Sequence, residues 1–150
     1  MVSVDTVRSR VAAVVDPEIP VLTIEDLGIL RSIEDEAGTA VVTITPTYSG
    51  CPAMRQIEDD IASALVGVGV SDFEVKVTHD PAWSTDWISD EGHRKLARFG
   101  IAPPGPVEDV LCPRCDAGSA RMISRFGSTA CKALMVCSAC GEPFDHFKQF

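Results

Sequence analysis

Six cysteines carry most of the chemistry that this 150-residue sequence can offer. Four of them form two close pairs, Cys112 with Cys115 and Cys137 with Cys140, and 21 residues separate the pairs. A two-residue spacer forms a tight knuckle that directs both sulfurs to one side, so two such pairs can surround one metal ion tetrahedrally. Four protein thiolates complete the coordination shell. The spacing therefore predicts one structural zinc ion, not a catalytic one.

The segment around these pairs has the composition of a zinc ribbon. Pro113 and Gly141 favour the turns of the two knuckles, and candidate strands lie at residues 121–126 and 133–136. About forty residues bury too little surface to fold alone, so the metal would supply much of the stability. Two alternatives remain at this stage: four unligated cysteines, or an iron site of the rubredoxin type.

Cys51 stands outside this set, directly before Pro52, which suits the first position of a predicted helix. Free N–H groups and the helix dipole at such a position lower the pKa of a thiol. Cys51 could then bind a soft metal or act as a nucleophile. The alternative is a small buried hydrophobic residue. Asp26 flanks the end of a predicted element and could neighbour Cys51, or it could simply cap that element.

Cys131 is the sixth cysteine and a candidate secondary thiol. Lys132 follows it directly and would favour its thiolate. The alternative is a spare thiol in the loop of the ribbon. The three histidines do not pair with a cysteine at ligand spacing, which predicts that each is a surface or core residue.

The N-terminal part predicts a small α/β domain within an α+β chain. Helices are expected at residues 4–15, from Pro52 to Gly67, and at 86–99, and strands at 26–33, 39–45 and 72–78. The first two strands should form a hairpin. A helix lies between the second and third strands, which indicates a crossover and hence a three-stranded mixed sheet.

The expected boundaries are an α/β domain over 1–99, a linker over 100–106 and a zinc ribbon over 107–150. The linker contains Pro103-Pro104-Gly105-Pro106. A three-stranded sheet leaves exposed edges, which are commonly paired or covered. We therefore expect a homo-oligomer, most simply a two-fold dimer.

Charge and hydropathy limit the partners and the compartment. The net charge is -9, with 17 acidic and 8 basic residues in 1–106 and five of each in 107–150. An acidic surface repels phosphate backbones, so nucleic-acid binding is disfavoured. No stretch approaches the roughly 18 apolar residues of a membrane helix, and no signal peptide begins the sequence. These features predict a cytoplasmic protein with reduced cysteines.

Several segments resemble known families. Asp16-Pro17-Glu18, Asp26-Leu27-Gly28 and the run Thr-Tyr-Ser-Gly-Cys-Pro at 47–52 are similar to the signature of iron–sulfur assembly factors such as SufT. The run Cys112-Pro113-x-Cys115 and segments 124–133 and 142–148 resemble the PaaD (PaaJ) accessory subunits of phenylacetyl-CoA epoxidase, and segments 83–87 and 100–104 also fit that family. The resemblance covers nearly the whole chain.

The resemblance implies a non-catalytic accessory or maturation role. The partners would be the oxygenase and reductase subunits of the epoxidase system. Cys51 would handle transient iron or an iron–sulfur cluster, with Asp26 as its acidic neighbour. Gln149 stands where family members often have cysteine, which argues against a mechanism that needs a terminal thiol. Two rival interpretations are a docking or regulatory subunit and a thiol enzyme that depends on Cys51.

Overall fold

The computed structural model describes residues 3–48 and 52–150. The chain divides into two compact units, residues 1–89 and 90–150. Among the described residues, no helix has both the length and the apolar character needed to cross a bilayer. The α+β class, with a three-stranded mixed sheet and a C-terminal ribbon, is confirmed.

The first helix, α1, covers Val4–Ala12 and is shorter than the predicted 4–15. Ser3 caps it by accepting a hydrogen bond from the Thr6 amide. The residues beyond it form an unpredicted hairpin, in which β1 (Val15–Asp16) pairs antiparallel with β2 (Ile19–Thr23). The side chain of Asp16 accepts from the Glu18 amide at 2.7 Å and closes the turn between these strands. Such a side-chain turn competes with the helix.

The predicted strand at 26–33 is wrong in its first half. Ile24–Leu27 forms the short helix α2, and β3 runs over Leu30–Glu36. Thr23 and Asp26 form a capping box, because each side chain accepts a hydrogen bond from the other residue's amide. This reciprocal pair fixes the helical turn. Gly28 ends the helix in the left-handed conformation, with φ of 76°.

The main sheet of the first unit has the order β3-β4-β5, where β4 is Thr39–Ile44 and β5 is Phe73–Val77. β3 and β4 are antiparallel and β4 and β5 are parallel, so the predicted hairpin and crossover are confirmed. Helix α3, Met54–Gly67, makes the crossover and buries one face. It begins at Met54 because Pro52 and Ala53 form a turn. The prediction of Pro52 as its first residue is therefore wrong.

Two tryptophans pack beside α2. The Trp83 indole is buried and donates from Nε1 to the Leu27 carbonyl at 2.8 Å. The Arg31 guanidinium lies 3.9 Å from the centre of the Trp87 ring. Trp87 belongs to a short 3-10 turn, Thr85–Trp87, where the sequence predicted the start of a helix. These contacts fix the conformation of the Asp26-Leu27-Gly28 segment.

The second unit contains α4 (Asp90–Arg98) and a four-stranded sheet in the order β6-β9-β8-β7. Its strands are β6 (Ile101–Ala102), β7 (Ala120–Ser124), β8 (Lys132–Cys137) and β9 (Pro143–Phe147). The sequence predicted β7 and β8 and missed the other two. β6 pairs parallel with β9, which makes residues 101–102 of the expected linker an ordered strand. The boundary between the units also lies before α4 and not after it.

Gly28 provides a test of this packing. A Cβ added there would lie 2.6 Å from the Trp87 Cβ, whereas one at Gly38, which also has positive φ, meets nothing within 4 Å. Gly38→Ala should lower the free energy of unfolding by about 1–2 kcal/mol, because alanine is strained at a positive φ. Gly28→Ala should cost about 1–3 kcal/mol more because of the overlap. Urea denaturation of both variants measures the difference, and equal losses would contradict the close contact.

Candidate metal centre

Two knuckles with the same hydrogen-bond pattern bring four cysteines together in the second unit. The amide of Asp116 donates to the Cys112 carbonyl, and the amide of Gly141 donates in the same way to the Cys137 carbonyl, both at 2.8 Å. Asp116 and Gly141 each follow the second cysteine of a pair, and both have positive φ. The sequence analysis predicted that Gly141 favours the turn of its knuckle. The physical basis is that glycine adopts a positive φ without strain.

The four sulfurs have the spacing that a tetrahedral ion requires. Sγ of Cys112 lies 3.8 Å from that of Cys140, and Sγ of Cys115 lies 3.6 Å from that of Cys137. All four lie within 4.8 Å of one another. Zinc–sulfur bonds of about 2.3 Å place neighbouring sulfurs about 3.8 Å apart in a regular tetrahedron. The residues present therefore fit one ion with four thiolate ligands.

The cluster also has the electrostatics of a cation site. Amides of Arg114 and Cys140 donate to the sulfurs of Cys112 and Cys137, respectively. The hydrogen bond from Cys140 lowers the pKa of the Cys137 thiol to about 7. At Cys115 a backbone hydrogen bond from Ala117 acts in the same direction, but the neighbouring thiols raise the pKa to about 12. Four negative sulfurs at this spacing repel one another, and a divalent cation removes that repulsion.

The cluster is continuous with the core of the second unit. Cys112 and Cys137 are fully buried, and they pack with the apolar residues Ala102, Val110, Met135 and Phe144. Cys115 and Cys140 are exposed. A metal bound here joins both knuckles to the sheet, which is the role of a structural site.

Cys51, the second candidate, lies outside the described residues. Among the described residues, the one nearest to it in sequence with a buried, unpaired polar side-chain atom is Thr45, which follows β4. Its side chain is buried, and Oγ1 has no hydrogen-bond partner among the described atoms. Such a group costs about 1–3 kcal/mol. Sequence reasoning missed this residue, because burial of a threonine at a strand end depends on tertiary packing.

Asp26 occupies a structural position. Its carboxylate accepts from the Thr23 amide at 3.1 Å, and its carbonyl accepts from the Ser89 amide at 2.8 Å. The side chain is 8% exposed. The sequence analysis left open that Asp26 simply caps an element, and the structure shows that it caps α2. A role beside Cys51 stays a prediction.

Cys131 is buried and is not a member of the four-sulfur cluster. Its sulfur lies 3.0 Å from the Thr129 hydroxyl. Lys132 is also buried, and an effect of its side chain on the Cys131 thiol stays a prediction. The chain offers Cys131 as a natural control for the reactivity of the other cysteines.

Comparison with known families agrees with this architecture. The family model described as the PaaD zinc beta ribbon domain matches residues 101–148. The model described as the iron-sulfur cluster assembly protein matches residues 4–77. The fold and the sulfur cluster thus define an iron–sulfur-assembly-type domain followed by a metal-binding ribbon.

Individual relatives identify the family more closely. An Escherichia coli (strain K12) protein, named as a putative subunit of 1,2-phenylacetyl-CoA epoxidase, is 46% identical over 141 residues, which is 89% of this chain and 85% of the relative. An Fe-S protein maturation auxiliary factor from Porphyromonas gingivalis is 36% identical over 94 residues, 61% of this chain and 88% of the relative. The chain belongs to the PaaD family, as its motifs predicted.

A solved structure supports the fold of the first unit. The crystal structure of a domain of unknown function from Bacillus anthracis superposes with a TM-score of 0.57 at 32% identity. The match covers 61% of this chain and 89% of that domain.

Replacing one cluster cysteine should remove the metal. Cys137→Ser leaves three thiolates and a poorer ligand, so the protein should lose bound zinc and the second unit should unfold. Cys131→Ser is the matched control, because it removes a buried thiol of the same unit outside the cluster. Elemental analysis should give one zinc per chain for the control and far less for Cys137→Ser. Equal zinc content in both would contradict the ligand assignment.

Proposed function

We propose that this chain is a non-catalytic accessory subunit of a phenylacetyl-CoA epoxidase system. It would assist the assembly or maintenance of an iron or iron–sulfur centre in the oxygenase or reductase subunits, within the cytoplasm. The observation that supports this most strongly is the joining, in one chain, of a domain similar to Fe-S maturation factors with the ribbon found in the PaaD family.

The ion of the ribbon, in this proposal, is zinc in a structural role. Its four ligands, Cys112, Cys115, Cys137 and Cys140, leave no coordination position for cargo or substrate. Half of the ligand set is buried in the core of the second unit. The ribbon would therefore present a surface to the partners while another group handles the iron.

The handling group we propose is Cys51, with Asp26 as an acidic neighbour. Cys51 precedes the turn at Pro52 and Ala53 and the start of α3 at Met54. One thiolate per chain binds iron or a cluster weakly, which suits a carrier that must release its cargo. A two-fold dimer that brings two copies of Cys51 together would complete the site during transfer. Light scattering of the iron-loaded protein tests this dimer.

A second candidate function is that of a docking subunit. Large apolar side chains are exposed in the second unit, including Leu111 (55%), Ile123 (51%) and Phe126 (67%). This function requires these side chains to form one contiguous patch, because contiguous exposed apolar patches commonly mark protein interfaces. In this case the ribbon would bind the oxygenase complex without any transfer of metal.

Substitution of Cys51 separates these functions. Cys51→Ser should greatly reduce the epoxidase activity and iron content of co-produced oxygenase and reductase subunits, because serine binds iron poorly. Cys131→Ser should leave both unchanged. The pKa of Cys51, measured by alkylation, should lie below the ordinary value of about 8.5.

Full epoxidase activity with Cys51→Ser would contradict the carrier function. Retained complex formation in that variant would then favour docking. Turnover of a small molecule by the isolated chain, lost only in Cys51→Ser, would indicate a thiol enzyme instead.

A further inference from the structure

A groove of about 390 Å³ lies in the first unit beside the turn between β3 and β4. Its apolar lining comes from α1, β3 and the segment that joins α3 to β5, and consists mainly of Val4, Val7, Ile33 and Val70. The Val4 side chain is 64% exposed, so this apolar surface is open to solvent. Ala40, near the start of β4, also lines the groove, whereas Cys51 follows the end of that strand.

The same groove carries negative charge, and we call it the acidic groove. Glu34, Asp35 and Asp72 line it, and no basic side chain is among its described lining residues. Asp35 accepts a hydrogen bond from the Gly38 amide at 2.9 Å, and Asp72 accepts one from the Thr39 hydroxyl at 3.1 Å. In the described part of the chain none of the three carboxylates forms an ion pair. The groove therefore fits an apolar side chain that has cations beside it.

The second unit presents a side chain of this kind. Phe126 is 67% exposed, and no large apolar side chain among the described residues is more exposed. The Lys148 ammonium lies 4.2 Å from the centre of its ring and donates to the Ala130 carbonyl at 2.9 Å. Arg125 is exposed, and with Phe126 and Lys148 it lines a second cavity, which has no acidic side chain among its described lining residues. We call Arg125, Phe126 and Lys148 the basic knob.

We propose that the basic knob of one copy of this chain binds the acidic groove of a second copy. Phe126 enters the apolar part of the groove, and the cations of Arg125 and Lys148 meet its carboxylates. Around a two-fold axis each copy gives its knob and receives the other, so the contact occurs twice and the assembly closes as a dimer. Burial of the aromatic ring supplies most of the binding free energy, and the complementary charges select the orientation.

This contact differs from the sheet-edge pairing that the sequence analysis expected, because it is made by side chains and not by the backbone of an edge strand. It also differs from the docking function proposed above, because a second copy of the chain, and not the oxygenase complex, covers Phe126. It does not require the carrier function, so Cys51→Ser should dimerise like the wild type.

Sedimentation equilibrium of the full-length, zinc-loaded protein measures this association. The wild type should form a two-chain species with a dissociation constant in the micromolar range, as small interfaces do. Phe126→Ala should raise that constant at least about tenfold, because a buried aromatic side chain dominates such a contact. Ile123 is 51% exposed and lines neither cavity. Ile123→Ala is therefore the matched control and should change the constant less than about twofold.

A charge exchange tests the pairing of the two surfaces. Asp72→Lys and Arg125→Glu should each raise the dissociation constant at least about tenfold, because like charges then face each other at both contacts. An equimolar mixture of the two variants should form dimers of nearly wild-type affinity. In the mixed dimer one contact has its charges exchanged and the other has the wild-type charges, so both contacts are again complementary.

Charge reversal outside the two surfaces provides the control. Arg121 of β7 and Glu74 of β5 are exposed and line neither cavity. Arg121→Glu and Glu74→Lys should each change the dissociation constant less than about threefold, because salt screens charges that lie outside the contact.

Three results would overturn the proposal. One is a wild-type protein that stays monomeric throughout the micromolar range. Another is a dimer that Phe126→Ala weakens no more than Ile123→Ala does, which would indicate pairing of sheet edges instead. The third is a mixture of Asp72→Lys and Arg125→Glu that associates no better than either variant alone.

Discussion

The convergence of four sulfur atoms is the constraint on which the second unit depends. An equivalent amide-to-carbonyl hydrogen bond closes each knuckle, and the four sulfurs of the two knuckles meet at tetrahedral spacing. Cys112 and Cys137 are at once members of this cluster and of the small apolar core. A unit of this size gains too little from burial alone. An ion bound by the cluster and the core would therefore stabilise each other, and the knuckles would fix where β7, β8 and β9 begin or end.

In the described part of the first unit, local capping fixes the conformation of the signature segments. The reciprocal bonds of Thr23 and Asp26 set the turn of α2, and Gly28 lets Trp87 approach the chain closely. Two of its signature segments thus have clear conformational roles, since Asp16 closes one turn and Asp26 another. A conformational role does not compete with a role beside Cys51, because a carboxylate held rigidly by backbone amides is well placed to act on a neighbour.

Sequence alone predicted the features that local spacing encodes. The two cysteine pairs indicated the cluster, and the strand–helix–strand order around α3 indicated the mixed sheet. Prediction from sequence failed for short elements that form only because residues distant in sequence lie beside them. β6 has two residues and forms only because β9 lies beside it, and α2 forms because two side chains cap it. His146 illustrates the same limit for a single side chain, since it is buried where β9 pairs with β6 and β8, and its Nε2 has no partner among the described atoms.

The closed zinc centre that we propose can be tested by X-ray absorption spectroscopy of the purified protein, at the zinc and iron edges. We expect one zinc per chain with four sulfur neighbours at about 2.3 Å and no nitrogen or oxygen ligand. The same spectrum should be unchanged in Cys51→Ser, because Cys51 takes no part in the structural site. Iron in place of zinc, or zinc with fewer than four sulfur neighbours, would contradict a closed structural centre. Either result would indicate that the ribbon itself is the functional metal site of this protein.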